Sequence, residues 1–325
     1  MNTLKTVDPR KLALLLSGLC LGTLAVWHLL PLHPPPPTPE SHPMDPTAPA
    51  TFHYETVPGL FAQDDPATTR PPTTPGPTTS AWPVVLGALR ALPPSPGGDE
   101  PRGRPVPLVL RRAHGQGVHN VAEDFYGTQA WDAYWSRLEG NGTVVWADAH
   151  LTGLGEAQAR EAGGFLGAQF EGAGMPRPGR FYVSPLFRCL QTARLTWAGL
   201  GEGFEPVVKE GLREVMGVHT CDRRSRRSFL AREFAGWRFE EGFTEVDELW
   251  VADRRETGEE IDGRTRRALD EIFGGEEEEE EGVVVVSTTT HSGQIASLLR
   301  VVGHRVFGLP TGGMMPVLVK GTRVG

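Results

Sequence analysis

Cysteine is scarce in this 325-residue chain. The three residues, Cys20, Cys189 and Cys221, stand at spacings that suit no zinc-binding or disulfide framework. Cys20 falls in an N-terminal apolar segment, and the other two can pair in an oxidising compartment or stay as buried thiols. Basic clusters are few as well. Apart from one group at 223–227 the arginines are scattered, so no positive stripe marks a nucleic-acid partner. The net charge of -8 owes much to the glutamate run 276–281, which reads as a solvated segment between elements and not as a binding surface. Proline is thin where a core would be built. Only six of the 29 prolines follow Leu108, so the second half reads as an ordinary globular domain.

The first half has its own absence. Residues 12–32 contain no Asp, Glu, Lys or Arg. At about 1.5 Å per residue, roughly 20 apolar residues span a bilayer core, whereas the apolar part of a cleaved signal peptide is about 7–15 residues long. The segment is therefore expected to be an uncleaved, single-pass signal anchor. Lys5, Arg10 and Lys11 precede it and no comparable cluster follows. Residues 1–11 are then expected to be a cytosolic tail, with the remainder lumenal or extracellular. Residues 33–104 read as a proline-rich linker that opens with four consecutive prolines at 34–37. Within it, 51–66 carries Phe52, Tyr54, Val57, Leu60 and Phe61 and can pack on the domain as an arm. In the lumenal setting Asn141-Gly142-Thr143 is a candidate glycosylation site at Asn141.

The domain is expected over 105–325. An apolar run from Pro107 reads as a buried strand that stops at the basic pair Arg111-Arg112, followed by a glycine-containing turn with His114 and a helix around 120–126. The pattern predicts helices over 131–138, 154–170, 186–200 and 259–273, and weaker ones over 223–237 and 246–255. It predicts further strands over 180–183, 205–209, 283–287 and 316–320. On the 154–170 helix, Leu154, Ala157, Phe165 and Leu166 are expected to share the buried face. Strands alternating with helices give an α/β fold with a mostly parallel sheet, helices on both faces, and ligands beyond the carboxyl ends of the strands. Three strand ends carry polar residues: Arg112 with His114, Ser184 with Arg188, and Thr290 with His291. Arginine matches phosphate oxygens with a planar fork of donors. Neutral histidine can attack phosphorus. Glu214, just past a strand, suits protonation of a leaving oxygen.

These residues resemble the histidine phosphatase superfamily. The likeness rests on an Arg/His-Gly turn after the first strand, Ser184-Pro185-x-x-Arg188-x-x-Gln191-Thr192 after the second, the Glu214 segment, and His291 after a late strand. It covers roughly 106–320. Finer matches point to the fungal phosphoglycerate mutase-like branch: Gly115-Gln116-Gly117-Val118-His119-Asn120, Tyr126-Gly127-Thr128, Trp131-Asp132, Leu151-Thr152-x-x-Gly155-Glu156-Ala157-Gln158, and Gly217-Val218-His219-Thr220-Cys221-Asp222-Arg223-Arg224. The arm His53-Tyr54-Glu55-x-Val57-Pro58-Gly59 agrees. The resemblance implies a three-layer α/β/α sandwich of the phosphoglycerate mutase-like kind. It implies that His114 is the phosphorylated nucleophile, that Arg112, Arg188 and Asn120 hold phosphate, that His291 flanks it, and that Glu214 is the proton donor. No metal and no cofactor are implied, and the partner is a small phosphorylated substrate, with the membrane met only through the N-terminal helix.

One position departs from the family, which places arginine directly before the nucleophilic histidine. Here that position is Ala113. Either a bulge absorbs it and Arg112 still reaches the pocket, or alanine occupies the arginine slot. His119 is not expected to share a helix face with His114, and His219 with Cys221 is not read as a metal site. His150 and His304 read as surface or packing residues. The group at 223–227 can extend the pocket or belong to a solvated loop. The leading expectation is a membrane-anchored, metal-independent phosphomonoester hydrolase. The alternatives are mutase-type phosphoryl transfer and a non-catalytic phosphate-binding protein, which Ala113 favours.

Overall fold

The computed structural model describes residues 52–68, Trp82, 108–274 and 285–324, which belong to one unit running from Pro46 to Gly325. The candidate anchor 12–32, most of the linker and the glutamate run 276–281 lie outside the described residues. Among the described residues no helix is long and apolar enough to cross a membrane.

A seven-stranded sheet runs through the unit. Its strands are β1 (Phe52–Thr56), β2 (Leu108–Ala113), β3 (Arg180–Val183), β4 (Pro206–Val208), β5 (Arg238–Phe239), β6 (Val285–Thr290) and β7 (Met314–Arg323), and their spatial order is β1-β7-β2-β6-β3-β4-β5. From β2 through β6, β3 and β4 to β5 all pairings are parallel. The two pairings that β7 makes, with β1 and with β2, are antiparallel.

Side chains alternate across β2, and each face meets its own layer. Leu110 packs with Leu166, Leu190 and Trp197 of α3 (Gly153–Gly172) and α4 (Phe187–Trp197). Val109 and Ala113 pack with Leu269, Ile295, Leu298 and Leu299 of α6 (Gly258–Gly274) and α7 (Ser292–Val301). This is the expected α/β/α arrangement. The smaller helices are α1 (Val118–Tyr126), α2 (Thr128–Ala133) and α5 (Arg227–Glu233).

Four local expectations need correction. The first strand does not stop at the basic pair but runs on through Arg111, Arg112 and Ala113, which pair in register with Thr288, Thr289 and Thr290 of β6. These β-branched partners extend the ladder past the point where the apolar pattern ends. The buried face of α3 is Gly155, Ala159, Ala162, Gly163 and Leu166, while Leu154 is exposed. Small residues face inward because α4 approaches closely: a Cβ on Gly163 would lie 2.5 Å from the Thr196 carbonyl oxygen. The helix expected over 223–237 shrinks to α5, and 246–255 forms no helix. There the Asp247 carboxylate accepts the backbone N–H groups of Arg224, Leu249 and Trp250, a local alternative to helical pairing.

The arm packs on the sheet edge. β1 pairs with β7, Tyr54 donates to Asp270 at 2.6 Å, and Gln63 donates to the Pro316 carbonyl at 2.6 Å. Asp64 accepts the N–H groups of Gly59, Leu60 and Phe61 on one oxygen and faces His304 with the other. Because β2, β6 and β3 are adjacent and parallel, their carboxyl ends share one edge. His114, His291 and Ser184 are the residues that directly follow them.

Candidate active site

The turn after β2 depends on two glycines. A Cβ on Gly115 would lie 2.3 Å from the Gly155 carbonyl oxygen, and one on Gly155 would lie 2.1 Å from that of Gln116. Only at this separation can the turn lie against the start of α3. Hydrogen bonds then fix it: Gly115 N–H to Thr192 Oγ1 at 3.0 Å, Gln116 N–H to Gln158 Oε1 at 2.8 Å, and Gly117 N–H to Asn120 Oδ1 at 2.9 Å. Asn120 therefore commits its carbonyl oxygen to the turn, which leaves its amide Nδ2 as the group able to donate to a ligand. Thr152 caps α3 by accepting the Gly155 N–H.

Three histidine rings gather above the sheet edge. The centroids of His114 and His291 are 5.1 Å apart, and those of His114 and His119 are 5.4 Å apart. All three are buried. Burial, helped by the nearby Arg188 charge, pushes the His114 imidazole down to about 3, and it pushes His119 and His291 well below the ordinary histidine value. All are then neutral at physiological pH. His114 Nδ1 lies 2.7 Å from the Gly115 carbonyl oxygen, which can only accept. The ring proton therefore sits on Nδ1 and the lone pair on Nε2. His291 Nε2 lies 2.7 Å from Ser184 Oγ and 3.4 Å from Cys189 Sγ.

The cationic and acidic groups come from α4 and from the segment between β4 and α6. Arg188 is buried. It donates to the Cys221 carbonyl at 2.6 Å and to Asp222 at 2.9 Å, and its Nε has no partner. The other Asp222 oxygen accepts from Arg255 at 2.9 Å. Burial works to raise the Asp222 carboxyl, but Arg188 and Arg255 outweigh it and hold the group below the ordinary aspartate value. Glu214 sits at the N-terminus of α7, where Oε2 accepts the Gly293 N–H at 3.0 Å and Oε1 accepts its neighbour Val215 at 2.8 Å. A Cβ on Gly293 would lie 2.0 Å from Glu214 Oε1, so glycine makes room for the carboxylate. Burial and the Asp222 charge raise the Glu214 carboxyl above the ordinary glutamate value, against the pull of these N–H donors.

The geometry thus gathers His114 and His291, sets Arg188 close enough to bias both rings, and brings Glu214 to the first turn of the helix that His291 begins. Arg112 is held from the side of α3, within electrostatic reach of Cys189. The β2 register is unbroken, so no bulge exists and alanine occupies the slot directly before His114. Arg112 donates from Nη2 to the Gln158 carbonyl on α3 at 3.1 Å, while its Nε and Nη1 have no partner. Arg111, on the opposite face, donates to Gln294 on α7 at 2.8 Å. Burial pushes both guanidinium groups below the ordinary arginine value.

Asn141 is exposed in a turn. Its oxygen accepts the N–H groups of Thr143 and Val144 and its amide donates to Tyr126 Oη. His219, Cys221 and Asp222 bring donor atoms within 4.8 Å of one another. Both Asp222 oxygens are already bonded to arginines, which opposes a cation there. Cys189 and Cys221 are buried free thiols. His150 stacks on Phe187. At 223–227 the side chains serve the loop: Arg224 bonds Glu210 and Thr244, and Arg223 pairs with Glu139.

Sequence reasoning missed His119, Asp222 and Arg255 as site members. Two glycines fold the chain back after His114, so proximity five residues on does not depend on sharing a helix face. The repeated alternation of arginine with acid over 210–256 was the available signal for the ion pairs.

Three comparisons bear on this arrangement. The pattern of the histidine phosphatase superfamily (branch 1) matches residues 129–309 and so begins after the His114 turn. A probable phosphoglycerate mutase of Arthroderma benhamiae is 41% identical over 82% of this chain and 84% of its own. A probable phosphoglycerate mutase of Saccharomyces cerevisiae is 38% identical over 67% and 80% respectively. The crystal structure of a phosphoglycerate mutase from Thermus thermophilus overlays on 67% of this chain and 98% of its own, at 22% identity and a TM-score of 0.35.

Proposed function

The chain belongs to the histidine phosphatase superfamily, and from that membership we propose that it hydrolyses phosphomonoesters through a covalent phosphohistidine on His114. The observation that carries this reading is the His114 tautomer. With Nδ1–H held by the Gly115 carbonyl, the Nε2 lone pair is the free nucleophile, beside a second buried neutral histidine.

In this reading Nε2 attacks phosphorus as the bond to the leaving oxygen breaks. Arg188, His291 and the Asn120 amide stabilise the charge spread over the phosphoryl oxygens. Glu214, whose carboxyl burial and the Asp222 charge raise above the ordinary glutamate value, gives its proton to the leaving oxygen when it is in its acid form. The resulting carboxylate then takes a proton from the water that attacks phosphohistidine, which frees His114 and returns the proton to Glu214. Mutase-type transfer is the second reading. The names of the two fungal relatives favour it, and it differs only in replacing the water by a substrate hydroxyl.

The test is rapid-quench labelling of the full-length protein with a 32P-phosphomonoester. The expected product is acid-labile, alkali-stable label on His114. His114→Ala is expected to lose turnover by roughly 10^4-fold or more. The labelling rate is expected to rise with loss of the His114 proton, a step that burial and Arg188 hold near pH 3, and to fall at higher pH as Glu214 ionises. Burial and Asp222 put that second step above the ordinary glutamate value. Phosphate release that survives His114→Ala would sink the mechanism. Label that passes to a second hydroxyl compound faster than to water would favour the mutase reading.

A further inference from the structure

A carboxyl group delivers a proton well only if the chain that carries it is held still. Glu214 follows a short 3-10 turn, Glu210–Leu212, and belongs to no helix or strand. What grips this segment comes from α6. Arg264 is buried there and reaches three backbone carbonyls: Gly211 and Arg213 from Nη1, each at 3.0 Å, and Glu214 itself from Nη2 at 3.0 Å. The same guanidinium donates from Nε and Nη2 to Glu256 at 2.9 and 2.7 Å. Glu256 in turn binds the far side of the segment. Its Oε2 accepts the Met216 N–H at 3.1 Å, and its own N–H donates to the Met216 carbonyl at 2.9 Å.

The chain is thus held just before, at and just after Glu214 by one buried ion pair. Only a planar fork of donors can serve three carbonyls and a carboxylate from one helical position; the compact lysine ammonium cannot. The pair makes no hydrogen bond to the groups assigned to the phosphate; the Arg264 charge acts on His291 through space, and a lysine in its place keeps that charge.

We propose that Arg264, with Glu256 as its counter-ion, is a positioning residue for proton delivery to the leaving group. The proposal rests on the reading of Glu214 as the acid. It separates two properties of the site: leaving-group protonation depends on this clamp, and phosphate binding does not.

The experiment measures single-turnover phosphorylation of His114 in the full-length protein, wild type and Arg264→Lys, across esters from 2,4-dinitrophenyl phosphate to an alkyl phosphate. A dinitrophenolate leaves without a proton, whereas an alkoxide does not. Arg264→Lys is expected to slow the alkyl ester about 100-fold, the usual size of a general-acid contribution. It is expected to slow the dinitrophenyl ester less than about threefold and to leave inhibition by inorganic phosphate unchanged. An equal loss across the series, or no loss with the alkyl ester, overturns the proposal while His114 labelling in the wild type upholds the catalytic reading. A wild type that never labels His114 overturns both. If Arg264→Lys does not fold, Glu256→Gln is expected to show the same leaving-group dependence at about tenfold, and a flat response there overturns the clamp.

Discussion

Among the described residues six arginines are buried, and they form two groups. Arg188, Arg213, Arg224 and Arg264 each face a carboxylate: Asp222, Glu210 with Asp247, Glu210, and Glu256 respectively. Arg111 and Arg112 face none among the described residues, and each makes one hydrogen bond to a neutral oxygen. The first group lies on α4, on α6 and in the 210–224 segment, where paired charges replace missing secondary structure. The second lies on a central strand covered by helices on both faces, where alternation buries every side chain whatever its chemistry. Charge near the site is therefore of two kinds. One kind organises loops. The other is imposed by where the sequence puts arginine in β2, one residue short of the slot beside His114.

The largest expected effect comes from breaking the paired group. Arg213→Met would remove the only cation paired with Asp247 among the described residues, leave Glu210 to Arg224 alone, and release the bond to the Asp222 carbonyl. A loss of about 3–5 kcal/mol is expected, read as a fall in the urea midpoint at constant slope. A loss under about 1 kcal/mol would mean that the pairs do not hold the loop.

Next in size is exchange of the two strand residues, Arg112→Ala with Ala113→Arg. This removes an unpaired charge from beside Gln158 and puts a guanidinium in the slot directly before His114, from which it must reach round the strand end, because Ala113 itself packs with Leu269, Ile295, Leu298 and Leu299. One well-aimed donor is worth on the order of 100-fold in rate. The double variant is therefore expected to turn over a poor phosphomonoester about 10- to 100-fold faster than wild type, measured as kcat. No gain in a folded variant would show that this chain stabilises its transferring phosphoryl group without that donor.

The comparison also marks what the sequence could tell. The order of elements was legible, and so were the candidates His114 and His291, because each directly follows a strand, and the candidates Arg188 and Glu214, because each sits in a short motif just past one. The course of β2 beyond Leu110 was not, since apolar patterning loses sight of a strand once buried positions turn polar. The α3 face was misread for a related reason. Hydrophobicity selects Leu154, but close approach of α4 selects glycine and alanine. The 246–255 loop looked helical because propensity cannot see that Asp247 is needed by Arg213 and by three backbone amides. The choice between a bulge and a filled slot at Ala113 is decided by register, a long-range property that one strand's sequence does not carry.

The smallest effect falls on the unpaired group and has the opposite sign. Arg112→Met keeps the length of the side chain and discards a charge whose Nε and Nη1 have no partner. Replacing buried ionic groups by apolar ones of similar volume commonly stabilises by about 1–4 kcal/mol, and here no carboxylate is left stranded by the change. A gain of about 1–3 kcal/mol is expected, seen as a raised urea midpoint. Affinity for inorganic phosphate should fall less than about threefold, because the hydrogen bond that the guanidinium makes goes to the Gln158 carbonyl on α3 and not to a histidine. A tenfold fall would correspond to about 1.4 kcal/mol of through-space stabilisation, enough to make the burden in β2 a functional one. The two outcomes assign Arg112 to different accounts of the strand. In the first its burial follows from sequence order alone. In the second the chain keeps a destabilising charge beneath the pocket because alanine has taken the arginine's usual place above it.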